Sequence, residues 1–137
     1  AKIADAPYDF SFSGLKSAVL NYLNGCQMKG IEVNRADVAA SFQKAVCDVL
    51  VEHAMLAVKE SGLNKLAIAG GVASNGTLRM AMEQACAENG IRFYRPSPIF
   101  CTDNAPMIGA AGYYEYMQGT RSGYDLNAVP NLKLGER

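Results

Sequence analysis

The residues whose types and spacing could do chemistry fall in three places. The first is the run Leu66-Ala67-Ile68-Ala69-Gly70-Gly71-Val72-Ala73-Ser74-Asn75. Four apolar residues lead straight into a glycine pair, and a small polar pair then opens an amphipathic helix. A buried strand that ends in Gly-Gly at a helix N-terminus suits a phosphate. Glycines let the backbone come close and adopt positive φ, while free N–H groups and the helix dipole favour an anion. Paired glycines after a strand often only make a tight βα turn, and on spacing alone that reading of Gly70 and Gly71 is preferred to ligand binding. No GxxxxGK[ST] is present, which excludes Walker-type phosphate chemistry.

The second place is Thr102-Asp103-Asn104, at the expected start of the last helix. Thr and Asp both suit a helix N-cap. The sharper reading presents Asp103 as a carboxylate ligand to a hard or borderline metal. One carboxylate makes no metal site and no histidine cluster accompanies it, so on spacing the cap is preferred. Within the helix that follows, Ala105, Gly109 and Gly112 recur at i, i+4 and i+7. Interior glycines cost roughly 1 kcal/mol each relative to alanine, so close packing, or less readily a ligand, is expected to compensate. The third place is Ser11, Ser13 and Lys16 on a strand–turn–helix junction. Lys16 opposes the helix dipole there, and reads as a solvated lysine or as one facing an anion or acidic partner. His53, the only histidine, lies on an apolar stripe and reads as a hydrogen-bonded core or interface residue. No Ser/His/Asp or Cys/His set can be assembled.

The elements that must position these residues follow from periodicity. Tyr8 to Phe12 alternates as a half-buried strand, Ser13-Gly14 turns, and Leu15, Val19, Leu20 and Leu23 mark a short helix stopped near Asn24-Gly25. A loop spans Gln27 to Val33. A long helix starts near Asn34 to Asp37, where both end residues can cap. Its apolar stripe is Val38, Phe42, Val46, Val49, Leu50, His53, Leu56 and Ala57, and Ser61-Gly62 ends it. The strand Leu66 to Ala69 precedes a helix from about Ser74 to Glu88 carrying Leu78, Met82 and Cys86. Ile91 to Tyr94 is a further strand, broken by Pro96 and Pro98. A last helix runs to about Gln118-Gly119, and a polar tail follows. Strand–helix units in series predict an α/β fold with a small parallel or mixed sheet, its edges left open.

Composition bounds the rest. The chain has 137 residues, half of them apolar and 19% charged, which describes one globular domain and excludes disorder. Thirteen basic residues balance thirteen acidic ones, so no global field draws nucleic acid or membrane. No apolar run spans a bilayer, and no signal-peptide layout opens the chain. Cys26, Cys47, Cys86 and Cys101 form no CxxC pair. They read as buried reduced thiols of a cytoplasmic protein. The chain opens at Ala1 without Met and enters a strand-like segment within ten residues; it reads as a piece of a longer protein.

Taken together, three blocks resemble a known family. They are Asp9-Phe10-Ser11-Phe12-Ser13-Gly14-Leu15-Lys16, then Ala69-Gly70-Gly71-Val72-Ala73-Ser74-Asn75 with Leu78-Arg79, and Cys101-Thr102-Asp103-Asn104-Ala105-Pro106-Met107-Ile108. Their order and spacing are similar to the C-terminal part of the TsaD/Gcp family, the tRNA N6-adenosine threonylcarbamoyltransferases, formerly called O-sialoglycoprotein endopeptidases or glycoproteases. The resemblance covers essentially the whole chain.

The resemblance implies the actin, heat-shock ATPase and sugar-kinase fold, in which two RNase H-like lobes flank a nucleotide cleft. This chain, 1–137 with a tail at 119–137, would be the C-terminal lobe. It implies transfer of a threonylcarbamoyl group from threonylcarbamoyl-adenylate to N6 of adenosine 37 in tRNAs reading ANN codons. The implied partners are that tRNA, an adenylate-forming enzyme and a scaffold paralogue, with no membrane. By the motif match, Gly70, Gly71 and Asn75 contact the nucleotide, either the adenylate or ATP. Asp103 becomes the late aspartate that joins a His-x-x-x-His pair around one iron or zinc ion, which reverses the cap reading. That histidine pair is absent from these residues. With one of three protein ligands, tight metal binding is not expected, and the isolated lobe is expected to be inactive and, with an uncovered apolar patch, prone to self-association. Two other classes remain in view: an ATP-binding lobe of another kinase of this superfold, disfavoured by Thr102-Asp103-Asn104, and a non-catalytic interaction module, disfavoured by retention of both the glycine and the Asp103 blocks.

Overall fold

A computed structural model describes residues 2–3 and 6–133. It resolves into two compact units, residues 1–102 and 103–137. In the first unit, β1 (Lys2–Ile3) pairs antiparallel with β2 (Ala6–Phe10). Two long helices follow, α1 (Ser13–Met28) and α2 (Arg35–Ser61). The chain then runs through β3 (Lys65–Ala67), a 3₁₀ turn (Gly71–Ser74), α3 (Gly76–Glu88), β4 (Arg92–Tyr94) and a second 3₁₀ turn (Pro98–Phe100). The second unit holds α4 (Ala105–Met117).

The order β3–α3–β4 is a βαβ unit. The two strands are parallel, with Lys65 opposite Arg92, Leu66 opposite Phe93 and Ala67 opposite Tyr94. The period-two alternation sends Leu66 and Phe93 towards the helices and leaves Lys65, Ala67, Arg92 and Tyr94 exposed. Beneath the sheet, Leu78, Met82 and Cys86 of α3 close on Cys47 of α2, with Leu50, Val51, Ala54, Met55, Ile68 and Ile91 packed around them. The spacing i, i+4, i+8 on α3 is the reason: it lines one face of a helix. All four cysteines are free and buried. Burial raises the Cys47 and Cys86 thiols above their ordinary range, and at Cys47 the neighbouring Asp48 charge adds to it.

The capping at α2 matches its sequence. Asn34 Oδ1 accepts from the Ala36 and Asp37 amides at 3.0 and 3.4 Å, and Gly62 closes the far end. Of the stripe expected on α2 only His53 is fully buried, and Cys47 and Val58, which lie off that stripe, join it. Phe42 stays 41% exposed.

Several boundaries depart from the periodicity. The strand expected over Tyr8 to Phe12 lies two residues earlier, so Ser11 and Phe12 are outside it. Ser13-Gly14 is not a turn but the first residues of α1, and Asn24-Gly25 does not stop that helix. The stop comes at Gly30, whose φ of 65° lets the Ile31 amide reach back to the Cys26 carbonyl at 2.9 Å. The sheet is also divided. Among the described residues, β2 pairs with β1 and not with β3 or β4, so the strands form two two-stranded sheets.

In the second unit, α4 carries almost only apolar side chains and none is buried. A Cβ at Gly109 or Gly112 would meet nothing within 4 Å. Within this unit, and among the described residues, nothing packs closely on those glycines. After α4, the Arg121 guanidinium lies 3.8 Å from the centre of the Tyr116 ring and donates to the Tyr116 carbonyl at 2.9 Å. The tail from residue 120 has no regular element among its described residues. Among the described residues, no helix is long and apolar enough to cross a membrane.

Candidate functional site

The glycine pair lies beyond the carboxyl end of β3. Gly70 has φ 85° and ψ 172°, a region that only glycine adopts without strain. This reverses the chain into the 3₁₀ turn, whose first hydrogen bond runs from the Ala73 amide to the Gly70 carbonyl at 3.0 Å. The Gly71 and Val72 amides precede that bond and stand outside the turn's own ladder. A Cβ at Gly70 or Gly71 would meet nothing within 4 Å, so the backbone here is open to approach. The sequence placed the pair directly at a helix N-terminus. The structure instead inserts the 3₁₀ turn and begins α3 at Gly76.

Asn75 is the hinge between turn and helix. Its Oδ1 caps α3 by accepting from the Leu78 amide at 3.1 Å, and its Nδ2 donates to Gln43 Oε1 at 3.3 Å. Gln43 in turn donates to Thr77 Oγ1 at 2.8 Å. Periodicity gave Gln43 no role, because its partners are 32 and 34 residues away. A groove of about 1210 Å³ runs beside this point, with Val19, Leu23, Val38, Phe42, Val72 and Asn75 among its walls. The arrangement can receive a ligand with an anionic end at the turn and an apolar or aromatic body in the groove.

The buried Arg79 sits behind the turn, 7% exposed. Its Nε donates to the Ala73 carbonyl, and one terminal nitrogen donates to the Pro96 carbonyl at 2.6 Å and to Cys101 Sγ at 3.1 Å. Sequence reasoning noted Arg79 only as part of a block. The available cue was its position four residues after Asn75, which returns it to the same face of α3.

Asp103 is exposed, and neither it nor Thr102 caps α4. That role belongs to Asn104, whose Oδ1 accepts from the Met107 amide at 3.0 Å. Among the described residues, no group of three or more His, Cys, Asp or Glu could hold a metal ion. These residues on their own do not fit a metal centre. His53 is 5% exposed, with its ring edge against Phe10 at 5.7 Å and its Nδ1 the one buried side-chain atom among the described residues without a hydrogen bond. It is a core histidine, as its place on the stripe predicts, but the hydrogen bond expected of it is not made at Nδ1. Lys16 is exposed on the first turn of α1, and Ser11 Oγ donates to Ser13 Oγ at 3.2 Å just before it. Nearby, the Tyr8 hydroxyl donates to the Glu60 carboxylate, which holds the phenol above its ordinary range.

A family model described as "TsaD: tRNA N6-adenosine threonylcarbamoyltransferase" matches residues 1–110. Over all 137 residues the chain is 58% identical to the tRNA N6-adenosine threonylcarbamoyltransferase of Clostridium botulinum (strain 657 / Type Ba4), of which it covers 40%. It is 61% identical over 129 residues, 94% of its length, to the protein of the same name from Clostridium novyi (strain NT), covering 38% of that protein. The chain thus spans about two fifths of the length of the curated relatives it matches.

Proposed function

We propose a role for this chain from one premise: it belongs to the TsaD family, the tRNA N6-adenosine threonylcarbamoyltransferases. In that role it is the C-terminal, nucleotide-binding part of an enzyme that moves a threonylcarbamoyl group from threonylcarbamoyl-adenylate to N6 of adenosine in tRNA. The observation that carries the reading is the Gly70-Gly71 turn at the end of β3, with open backbone and two amides outside the local ladder. The transfer forms a bond between adenosine N6 and the carbamoyl carbon and releases adenylate. Backbone N–H groups at the turn stabilise the phosphate of the donor and of the leaving group, and Asn75 Nδ2 is the side-chain donor beside them. Both compact units belong to one lobe of an actin-like, RNase H-like architecture in this reading.

Asp103 would contribute one carboxylate towards an iron or zinc ion, which would supply Lewis-acid polarisation. The described residues hold no complete ligand set; in this reading their own part is to bind and orient the adenylate through the Gly70-Gly71 turn and Asn75. The tRNA, an adenylate-forming enzyme and a scaffold paralogue are the proposed partners, in the cytoplasm.

The test uses the natural protein that carries these residues. Threonylcarbamoyl transfer to tRNA, read by nucleoside mass spectrometry, is compared for wild type and Asp103→Ala. Activity is expected to fall at least a hundredfold in the variant, with iron or zinc content falling alongside. Unchanged activity removes Asp103 from the site.

A further inference from the structure

We propose that Arg79 is a positioning residue that staples the glycine turn to the loop after β4 and so sets the nucleotide-binding geometry. The inference rests on the reading of that turn as the nucleotide contact. Parallel strands β3 and β4 are neighbours, and the segments leaving their carboxyl ends are residues 68–75 and 95–101. In open α/β sheets ligands bind beyond these ends. There, the relative placement of two adjacent loops decides whether backbone donors meet the ligand.

Arg79 is the side chain that joins them. From α3 it reaches Ala73 in the first loop and both Pro96 and Cys101 in the second. All three partners are neutral, and neither ion pair among the described residues includes Arg79. Burying a guanidinium on neutral acceptors alone is costly, and an apolar side chain would fill the same space at less expense. What an apolar residue cannot do is bridge acceptors on separate segments. The planar fork of five N–H donors does this, where a lysine offers a single point of attachment. Cys101, the far anchor, lies two residues before Asp103 in the chain. Arg79 therefore holds the turn proposed to bind nucleotide and the covalent lead-in to the second functional block.

The experiment compares wild type, Arg79→Lys, Cys101→Ala and Met82→Ala in the natural protein carrying these residues, below the melting temperature of each. Met82→Ala is the control for destabilisation, because it opens the same core without touching the staple. Two quantities are read: steady-state transfer with threonylcarbamoyl-adenylate varied, and the alkylation rate of Cys101 by iodoacetamide from peptide mass spectrometry. For Arg79→Lys, the KM for the adenylate should rise at least tenfold with kcat changed less than threefold, and Cys101 should alkylate at least tenfold faster. Cys101→Ala, which keeps both carbonyl bonds, should raise KM two- to fivefold. Met82→Ala should lower the melting temperature and leave KM unchanged.

A native KM in Arg79→Lys overturns the proposal, even where Cys101 labelling accelerates, because the staple would then not position the site. Should Arg79→Lys fail to fold, Cys101→Ala decides, and an unchanged KM there overturns it. A wild-type protein with no transfer activity would sink the functional reading instead. The labelling ratio would then judge the staple by itself, with equal rates refuting it.

Discussion

Asn75 is a residue at which stability and ligand binding can be separated by substitution. Asn75→Ala removes the cap on α3, the 3.1 Å bond from the Leu78 amide. Loss of such a cap costs about 1 kcal/mol. The 3.3 Å bond to Gln43 joins two side chains near solvent, and water replaces much of it. Asn75→Asp keeps an acceptor for Leu78 and adds a negative charge at a helix N-terminus, which favours the helix by about 0.3–1 kcal/mol. The two variants should thus differ by about 1.3–2 kcal/mol, equivalent to roughly a 10- to 30-fold difference in opening of the first turn of α3. Hydrogen exchange at the Leu78 amide reads that difference directly, with Asn75→Asp the better protected. Binding of a fluorescent ATP analogue should follow the opposite logic. Both variants lose Nδ2 as a donor and both should bind more weakly, with Asn75→Asp weakest because its carboxylate faces the phosphate. If affinity instead tracks protection, and Asn75→Asp binds as well as wild type, Asn75 acts only as a helix cap.

The glycine pair offers a second separation. Gly70→Ala should destabilise by roughly 1–3 kcal/mol because φ 85° is closed to alanine, whereas Gly71→Ala meets open space and should leave the denaturation midpoint unchanged while weakening nucleotide binding; unaltered binding would argue against ligand approach at the turn. The buried thiols predict an alkaline loss of stability. Cys47 and Cys86 are held above the ordinary thiol range, so their contribution is intact below about pH 8.5 and is lost as pH rises through the higher folded-state values. Denaturant midpoints from pH 7 to 10 should fall in wild type more than in a Cys47→Ala/Cys86→Ala double variant, and an equal or smaller fall in wild type contradicts this.

Local chemistry was legible in the sequence wherever a nearby residue decides it. Asn34 caps α2, and Leu78, Met82 and Cys86 form the buried face of α3, because capping and helical spacing are properties of a few consecutive residues. The glycine turn after β3 was legible for the same reason, though not its 3₁₀ insertion, which depends on the φ of 85° taken by Gly70. The stop of α1 lies at Gly30 and not at Asn24-Gly25, because Gly30 takes the positive φ that turns the chain back whereas Gly25 stays helical. Asn104 and not Thr102 or Asp103 caps α4; three successive cap-competent residues leave that choice to the geometry of the incoming chain.

By itself, then, the sequence determined the α/β class, the order of its helices and of every strand but β1, and the three blocks that mark the family. Only the tertiary structure decided which residues hold the glycine turn in place. Gln43 reaches Asn75 across 32 residues, and Arg79 reaches Cys101 across 22. Such bonds leave no periodic trace, because each depends on two separate segments meeting after the βαβ unit has closed.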